Sequence, residues 1–189
     1  MTFLLRSSLL LALLAAGCGG GSADLAAIPL SIGHGPRFLP PAIGGRTAPA
    51  RTACGARPRV THAAHVELFA AGHVVQVPAG IGIGPPVERR GAYVRTGRCW
   101  HELYTTEPTG LIEIASGTVP TLGTLFDVWR QPLSANRLVG FRGRARGYVD
   151  GRRWRGDPRA IPLRRHAQIV VEVGPYVPPH PSYQFPPGL

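Results

Sequence analysis

Residues 99–114, CWHELYTTEPTGLIEI, gather the side chains of this chain that are best suited to chemistry. One cysteine, one histidine and three glutamates lie there among hydrophobic residues. Thiolate, imidazole and carboxylate groups are the usual protein ligands of transition metals such as Zn²⁺ and Cu²⁺. The same stretch is also compatible with an ordinary β-hairpin whose first strand is held by a disulfide. Which of the two it is largely decides the function.

The most specific metal hypothesis combines His65, His101 and Glu113. A sheet that pairs the strand of His65 with the strand of Glu113 would bring these two side chains within reach of one ion. His62 is not expected to share that ion, because residues three apart on a strand point to opposite faces. The alternative is that these residues are polar groups on the solvent-exposed face of a sheet. We therefore predict no cofactor, with Zn²⁺ or Cu²⁺ as the alternative.

The sequence has no recognisable catalytic constellation, so we predict that the protein is not an enzyme. An enzyme needs a nucleophile with its base, paired carboxylates or an open metal site. There is no GxSxG motif, and the carboxylates are scattered along the chain. The glycine-rich stretch AGIGIGPP at 79–86 lacks the Lys-Ser/Thr pair and the helix of a phosphate-binding loop. We predict a bent loop there.

Arginine provides all 21 basic side chains, against 10 acidic ones, and the formal net charge is +11. Ten of these arginines lie between Arg137 and Arg165. A face of this kind can bind phospholipid headgroups, anionic wall polymers or an acidic protein. The predicted anion-binding residues are Arg142, Arg144, Arg146, Arg152, Arg153 and Arg155.

The alternative interpretation of these arginines is a solvated basic face on a protein that uses arginine throughout. Nucleic acid is not an expected partner, because no aromatic residues interleave with the arginines in the manner of a base-stacking surface. The expected partners are the membrane, through a lipid anchor, and an unknown envelope polymer or protein.

Residues 1–17 have the design of a secretory signal, in which Arg6 precedes a short apolar run that ends in small residues. The run is too short to cross a bilayer, which takes about 20 residues. The segment AAGC, ending at Cys18, resembles the lipobox of bacterial lipoproteins. We therefore predict lipidation of Cys18 and anchoring to the bacterial cell membrane on its extracytoplasmic side. An ordinary cleavable signal with a chance cysteine is the alternative.

Cys54 and Cys99 are the two cysteines that remain. Disulfides are the default in an oxidising compartment, so we predict that these two form one. A catalytic or metal-binding thiol pair is the alternative, but no CxxC spacing supports it. Residues 18–58 are rich in glycine, alanine and proline and are predicted to be a flexible tether with an irregular lead-in.

A single domain is predicted over 59–174. Period-two patterns predict strand pairs around Ala71-Gly72 and Asp150-Gly151, a third pair within 99–114, and a last strand near the end of the domain. The segment TLGTLFDVW, which begins at Thr121, has apolar residues at helical spacing and predicts one amphipathic helix. The expected fold class is α+β: a small, mainly antiparallel sheet with one packed helix, an order compatible with a β-grasp-like arrangement.

The last fifteen residues, 175–189, are too rich in proline for a helix or a central strand. We predict an extended tail. Its aromatic side chains, Tyr176, Tyr183 and Phe185, are available to dock onto the domain.

Five blocks occur in a fixed order: VVQVPAGIGI, CWHELYTTEPTGLIEI, TLGTLFDVWRQPL, YVDGRRWRGDPRAIPLRRHAQIVVEVG and the ending FPPGL. In this respect residues 61–189 resemble an uncharacterised family of bacterial secreted proteins and lipoproteins. The resemblance implies a histidine-rich first strand and a second histidine segment, and hence metal binding. This chain keeps His65 of the first strand, but Tyr104, Thr106 and Glu113 stand where the relatives have histidines.

Overall fold

The computed structural model describes residues 54–115, 117 and 119–189. The predicted signal peptide over 1–17, the predicted lipidation site Cys18 and the tether lie outside the described residues. No helix in the described part of the chain is long and apolar enough to span a bilayer.

Twelve strands, one α-helix and one 3₁₀ helix make up the described part. The first six strands are β1 (His62–Ala70), β2 (His73–Val75), β3 (Ile83–Arg90), β4 (Tyr93–Trp100), β5 (Leu103–Tyr104) and β6 (Leu111–Ile114). The helix α1 (Leu122–Trp129) follows, and the 3₁₀ helix spans Pro158–Ala160. The other six strands are β7 (Leu133–Ser134), β8 (Arg137–Leu138), β9 (Phe141–Arg142), β10 (Ala145–Val149), β11 (Arg152–Arg153) and β12 (Gln168–Val173).

Seven strands form a central sheet in the order β11-β10-β12-β1-β6-β5, with β2 also paired to β1. The first and last strands of the fold, β1 and β12, lie side by side and parallel, and every other pair in this sheet is antiparallel. The remaining strands form two ribbons, β3-β4 and β7-β8-β9. The predicted α+β class with a mainly antiparallel sheet is therefore confirmed.

The helix begins and ends where its sequence predicts. The Thr121 hydroxyl accepts a hydrogen bond from the Thr124 N–H, and the Thr124 side chain bonds back to the Thr121 N–H, which together make a capping box. Arg130 ends the helix in a left-handed conformation with φ of 60°. The apolar residues of α1 are buried in the same cluster as apolar side chains of the central sheet, among them Val66, Leu68, Ile112, Ile114, Ile169 and Val171. We call this side of the sheet the helix face.

The opposite side of the central sheet carries polar and aromatic side chains and is buried too. We call it the tail face, and its members include His65, Glu67, Phe69, Tyr148, Gln168, Val170 and Glu172. The alternative interpretation of His65 and Glu113 as polar groups on a solvent-exposed face does not hold, because they are 2% and 8% exposed. Gln168 and Glu172 are buried on this face as well. The reason is the tail over 175–189, whose Val177 packs on a cluster of Phe69, Tyr148 and Val170.

The stretch 99–114 forms parts of three strands, and its side chains are not grouped into a metal site. Its first residues end β4, and the hairpin of β5 and β6 follows. The predicted disulfide between Cys54 and Cys99 is confirmed, with 5.4 Å between the Cα atoms. It holds the lead-in against β4, where the Gly55 and Trp100 main chains exchange two hydrogen bonds of 2.9 and 2.8 Å.

The predicted bent loop at AGIGIGPP is wrong in its second half. Strand β3 begins at Ile83 and runs through Pro85 and Pro86 to Arg90, paired with β4 alone. The register shifts between Gly84 and Val87, so neither proline occupies a ladder position. Proline is tolerated in a strand at such a bulge because its missing N–H is not needed there.

Candidate functional site

Both ring nitrogens of His65 are already engaged. Nε2 donates a hydrogen bond to the Thr109 carbonyl at 2.8 Å, and Nδ1 lies 2.7 Å from the Gln168 side-chain amide. A metal ion would need one of these nitrogens with its lone pair free. The ring is therefore held as a structural element between β1, β12 and the loop that precedes β6.

The other two predicted metal ligands do not complete a site around His65. Glu113 pairs with Ala63 and Tyr104 across the sheet, and its carboxylate accepts a hydrogen bond from the Thr106 hydroxyl. His101 lies between β4 and β5. Within residues 54–115, 117 and 119–189, no group of three or more His, Cys, Asp or Glu side chains is placed to hold a metal ion.

One of the predicted anion-binding arginines, Arg146, is engaged inside the protein. Its Nε donates to Glu172 Oε1 at 2.7 Å, and its Nη2 donates to the Gly174 carbonyl at 2.6 Å. Strand register explains the pair, because Arg146 on β10 lies directly opposite Glu172 on β12. The guanidinium therefore neutralises a buried carboxylate, and two of its nitrogens are bonded within the protein, although the side chain is 26% exposed.

The Glu172 carboxylate accepts hydrogen bonds from three groups on the tail face. Besides Arg146, the Tyr148 hydroxyl donates to Oε1 at 3.0 Å, and the Val177 N–H donates to Oε2 at 2.8 Å. Burial, followed by the hydrogen bond and the charge of Glu172, raises the pKa of Tyr148 above its ordinary value. The guanidinium of Arg153 lies 5.2 Å from the centre of the Tyr148 ring, in a cation–π contact.

Three exposed arginines cluster where the β7-β8-β9 ribbon joins β10. Arg137 on β8 lies directly opposite Arg142 on β9. Arg144 follows, between two residues whose N–H groups bond to the carbonyls of the 135–136 turn at 3.0 and 2.8 Å. We call Arg137, Arg142 and Arg144 the arginine cluster.

The arginine cluster is not neutralised by the protein itself. Residues 131–149 contain no acidic side chain. In the described part of the chain, the carboxylate ion pairs of arginine are those of Arg146 and Arg159, and none involves the cluster. Of the other predicted anion-binding residues, Arg152, Arg153 and Arg155 lie beyond the opposite end of β10. The six predicted arginines therefore do not form one surface.

Two side chains of the tail, those of His180 and Tyr183, contact the tail face. Tyr183 stacks on His65 with 3.7 Å between ring centres and 8° between ring planes. His180 Nδ1 lies 2.7 Å from Glu67 Oε2. These two contacts place the middle of the tail over His65 and Glu67 of β1.

The end of the tail contacts His166, in the turn before β12. Its ring stacks on Phe185, with 4.6 Å between ring centres, and its Nε2 donates a hydrogen bond to the Leu189 main-chain oxygen. Phe185 also meets Tyr183 edge to face at 5.0 Å. The histidine that enters the last strand thus has a structural partner in the tail.

Two buried polar atoms have no hydrogen-bond partner among the described residues. They are the Nε2 of Gln168 and the Tyr104 hydroxyl, which has Arg57 and Glu113 nearby but no well-formed hydrogen bond to either. Burial raises the pKa of Tyr104, and the nearby charge of Glu113 adds to the rise. The Gln168 amide lies on the tail face, where its other end meets His65. A buried donor without a partner costs about 1–3 kcal/mol.

No protein-family model, no curated protein and no solved structure matches this chain. A functional assignment therefore has to rest on the side chains described above.

The tail face is the arrangement that sequence reasoning missed. Alternation on β1 correctly places Val66 and Leu68 on one side and His65 and Glu67 on the other. It does not tell what covers each side. The tail residues Tyr183 and Phe185, predicted to be available to dock onto the domain, stack on His65 and His166. No pattern in the sequence indicates which face of the sheet the tail covers.

Proposed function

We propose that the protein is an exported lipoprotein, anchored through Cys18, and that its domain is a non-catalytic module for binding an anionic envelope component. The observation that carries the binding proposal is the arginine cluster, in which Arg137 and Arg142 face each other across two strands. Arg144 completes it. The cluster replaces the six arginines expected from the sequence, because Arg146 is paired internally.

Like charges directly opposite each other on a ribbon destabilise it. An anion held between the Arg137 and Arg142 guanidinium groups would remove this repulsion and gain charge-assisted hydrogen bonds. Phosphate groups of lipid headgroups and of wall polymers have the geometry that guanidinium binds with two hydrogen bonds. An exposed cluster without its own carboxylates is therefore suited to an external phosphate-bearing partner.

Replacing both Arg142 and Arg144 by glutamine should weaken binding of the purified protein to vesicles rich in anionic phospholipid. A basic side chain near an anionic surface contributes about 1 kcal/mol, so the double change should cost about thirtyfold in affinity. Cosedimentation with the vesicles measures it. Binding should also fall steeply between low and high salt, because screening removes exposed charge contacts.

The matched control for this experiment is the double change of Arg95 and Arg98 to glutamine. Both residues are exposed on β4, and the net charge changes equally. An equal loss in both variants would show that only total charge matters. Binding that neither variant nor salt weakens would contradict the proposed role of the cluster, and the same assay with an anionic wall polymer distinguishes the two sources of phosphate.

The lipid anchor predicts that cells fed radiolabelled palmitate will label this protein, and that Cys18→Ser abolishes the label. The signal peptidase and acyl transferase act on that thiol, so its loss should move the protein from the membrane fraction to the soluble exported fraction. Cys54→Ser is the matched control and should stay labelled. Label that persists in Cys18→Ser would exclude this cysteine as the anchor.

We also infer a β-grasp-like arrangement, in which the first and last strands lie parallel in the centre of a mixed sheet. In support, β6 and β1 form one antiparallel pair, β10 and β12 the other, and α1 lies between β6 and β10 in the chain. Strands β2 to β5 are then an insertion between the first two strands of that arrangement. A fold of this kind carries no activity by itself.

A further inference from the structure

We propose that three residues in line across the β7-β8-β9 ribbon, Ser134, Arg137 and Arg142, bind one terminal phosphate group, that is, a phosphomonoester. We call these three residues the phosphate row. The inference rests on the proposed binding of an anionic partner, and it adds the chemical class of the anion and a further residue, Ser134. A phosphomonoester carries up to two negative charges on three free oxygens, whereas a phosphodiester carries one charge on two free oxygens.

Strand pairing places the phosphate row on one face of the ribbon. Ser134 on β7 lies opposite Arg137 on β8, which lies opposite Arg142 on β9. Residues directly opposite each other in a sheet have their side chains on the same face. All three are exposed, whereas the adjacent Leu133 and Leu138 are buried in the main core. The ribbon therefore packs on the domain with one face and presents the phosphate row to solvent with the other.

The hydrogen-bond pattern brings the two arginines of the row close together. The Gly143 N–H donates to the Asn136 carbonyl at 3.0 Å, directly beside the pair of Arg137 and Arg142. Hydrogen-bonded and non-hydrogen-bonded pairs alternate along an antiparallel ladder, so Arg137 and Arg142 form a non-hydrogen-bonded pair. The Cα atoms of such a pair are about 4.5 Å apart, and its side chains are the closer ones. One small anion can therefore contact both guanidinium groups.

The turn after β8 holds Arg137 for this role. Its Nε donates to the Val139 carbonyl at 3.1 Å, so the edge formed by its two Nη groups remains for a ligand. Val139 has a φ of 53°, which a β-branched residue rarely adopts, and its N–H donates to the Pro132 carbonyl at 2.8 Å. Strained residues of this kind cluster at ligand-binding sites. Because one end of the guanidinium is already fixed, less conformational entropy is lost when the Nη edge binds an anion.

Ser134 adds a neutral donor at the end of the row. Its Oγ accepts a hydrogen bond from the Asn136 N–H at 3.3 Å. A hydroxyl that accepts from the main chain still has its own hydrogen to donate. The neighbouring side chains of the row, Arg137 and Arg142, carry only donors and cannot accept this hydrogen. An oxygen of a bound phosphate can accept it.

The charges and donors of the row fit a phosphomonoester better than the other common anions. Two guanidinium charges balance its two negative charges, and residues 131–149 contain no acidic side chain that would reduce them. Its three free oxygens can each meet one residue of the row. A carboxylate is satisfied by a single guanidinium with two hydrogen bonds. A phosphodiester leaves one of the two guanidinium charges unbalanced.

The test compares the binding of the purified protein to two kinds of phosphatidylcholine vesicle. One kind contains phosphatidate, whose phosphate is a monoester, and the other contains phosphatidylglycerol, whose phosphate is a diester, in amounts that give equal surface charge. The wild type should bind the phosphatidate vesicles about tenfold more tightly, because the monoester gains a further charge-assisted hydrogen bond. Cosedimentation measures both affinities. Equal affinities would overturn the proposal, and this comparison needs no variant.

Two variants test the members of the row. Ser134→Ala should weaken phosphatidate binding about tenfold, because a hydrogen bond to a charged group is lost. Arg137→Lys should remove the preference for phosphatidate, because lysine keeps the charge and loses the planar fork. Ser182→Ala is the matched control, since Ser182 is an exposed serine of the tail, and it should bind as the wild type does.

This proposal and the proposed function fail in different ways. If the double change of Arg142 and Arg144 to glutamine leaves vesicle binding unchanged, the arginine cluster has no anionic partner and the phosphate row is refuted with it. If that double change weakens binding while Ser134→Ala and Arg137→Lys have no effect, the cluster binds anionic surfaces through charge alone. The proposed function then stands, and the phosphate row is overturned.

Soluble glycerol 3-phosphate distinguishes the two sources of a phosphomonoester. If it displaces the wild type from phosphatidate vesicles, the row binds this group free in solution or on a polymer as well as on a lipid. A preference that only vesicles elicit makes the lipid headgroup the ligand. Either result supports the row when Ser134→Ala weakens the binding concerned. Binding of glycerol 3-phosphate that Ser134→Ala does not alter would place the phosphate at another site and overturn the proposal.

Discussion

Replacing Glu172 by alanine should lower the free energy of unfolding by about 2–3 kcal/mol, because it leaves the Tyr148 hydroxyl and the Val177 N–H without an acceptor. Glu172 is fully buried and accepts from Arg146, Tyr148 and Val177. Urea unfolding followed by tryptophan fluorescence measures the change.

The size of the effect follows from what is left behind. Without the carboxylate, the Arg146 guanidinium keeps one acceptor, the Gly174 carbonyl, and the Tyr148 hydroxyl loses the acceptor described for it. Because the Arg146 side chain is 26% exposed, its charge stays partly solvated, and the two donors that lose their acceptor account for most of the loss. The pKa of Tyr148 should also fall toward its ordinary value, because the Glu172 charge contributes to its rise.

Glu88→Ala is the matched control, since Glu88 is exposed on β3. Exposed substitutions usually change stability by less than about 0.5 kcal/mol. The double change Arg146→Met and Glu172→Leu should recover only the part of the loss that comes from the unpaired charge, because the Tyr148 hydroxyl and the Val177 N–H still lack their acceptor. A stability of Glu172→Ala within the error of the wild type would refute the view that this carboxylate organises the tail face.

The features that the sequence predicts well are local ones. Thr121 and the apolar spacing of α1 determine the helix and its start within a few residues. Asp150 and Gly151 adopt φ values of 50° and 74°, as a tight hairpin turn between β10 and β11 requires. In each case the residues that decide the structure are neighbours in the chain.

The features that it does not predict depend on contacts between distant residues. The parallel pairing of β1 and β12 joins segments about a hundred residues apart, and it brings Gln168 beside His65. The pair of Arg146 and Glu172 exists only because of the register between β10 and β12. Neither register nor the covering of a sheet face is encoded in a local pattern. One of the six arginines predicted to bind anions, Arg146, is therefore engaged internally, and His65 is buried.

Among the described residues, the metal ligands predicted from the sequence are not brought together, for the same reason. Polar residues at alternate positions of a strand can place several metal ligands on one face. The pattern does not say which groups the ring nitrogens of each histidine bond to. Both ring nitrogens of His65 are engaged, one with the Thr109 carbonyl and the other with the Gln168 side-chain amide. Tyr104, at a position where the resemblance implies a histidine, has its hydroxyl buried beside Glu113. At these positions, packing and internal hydrogen bonds take the place of the hypothesised metal site.

Replacing both Cys54 and Cys99 by serine should lower the free energy of unfolding by about 4 kcal/mol. The disulfide spans a sequence separation of 45 residues. In the chain-entropy account, a cross-link of this span restricts the unfolded chain and so raises its free energy. Thermal and urea unfolding of the variant against the wild type measure the loss.

Reduction distinguishes this mechanism from a general effect of the two serines. Dithiothreitol should destabilise the wild type by about the same 4 kcal/mol and leave the double variant unchanged. Cys18→Ser should keep the wild-type stability, because that cysteine is not part of the cross-link. A wild type that is indifferent to reduction would mean that the 54–99 link restricts the unfolded chain little.

The local consequence of losing the disulfide should be at the lead-in rather than in the central sheet. The main-chain hydrogen bonds of Gly55 with Trp100, and Arg57 stacked 4.7 Å from the Trp100 ring centre, hold the lead-in on β4 together with the disulfide. Hydrogen exchange of the variant should therefore rise first at Gly55 and Trp100, while β1 and β12 stay protected. The disulfide therefore determines where the lead-in joins the folded domain.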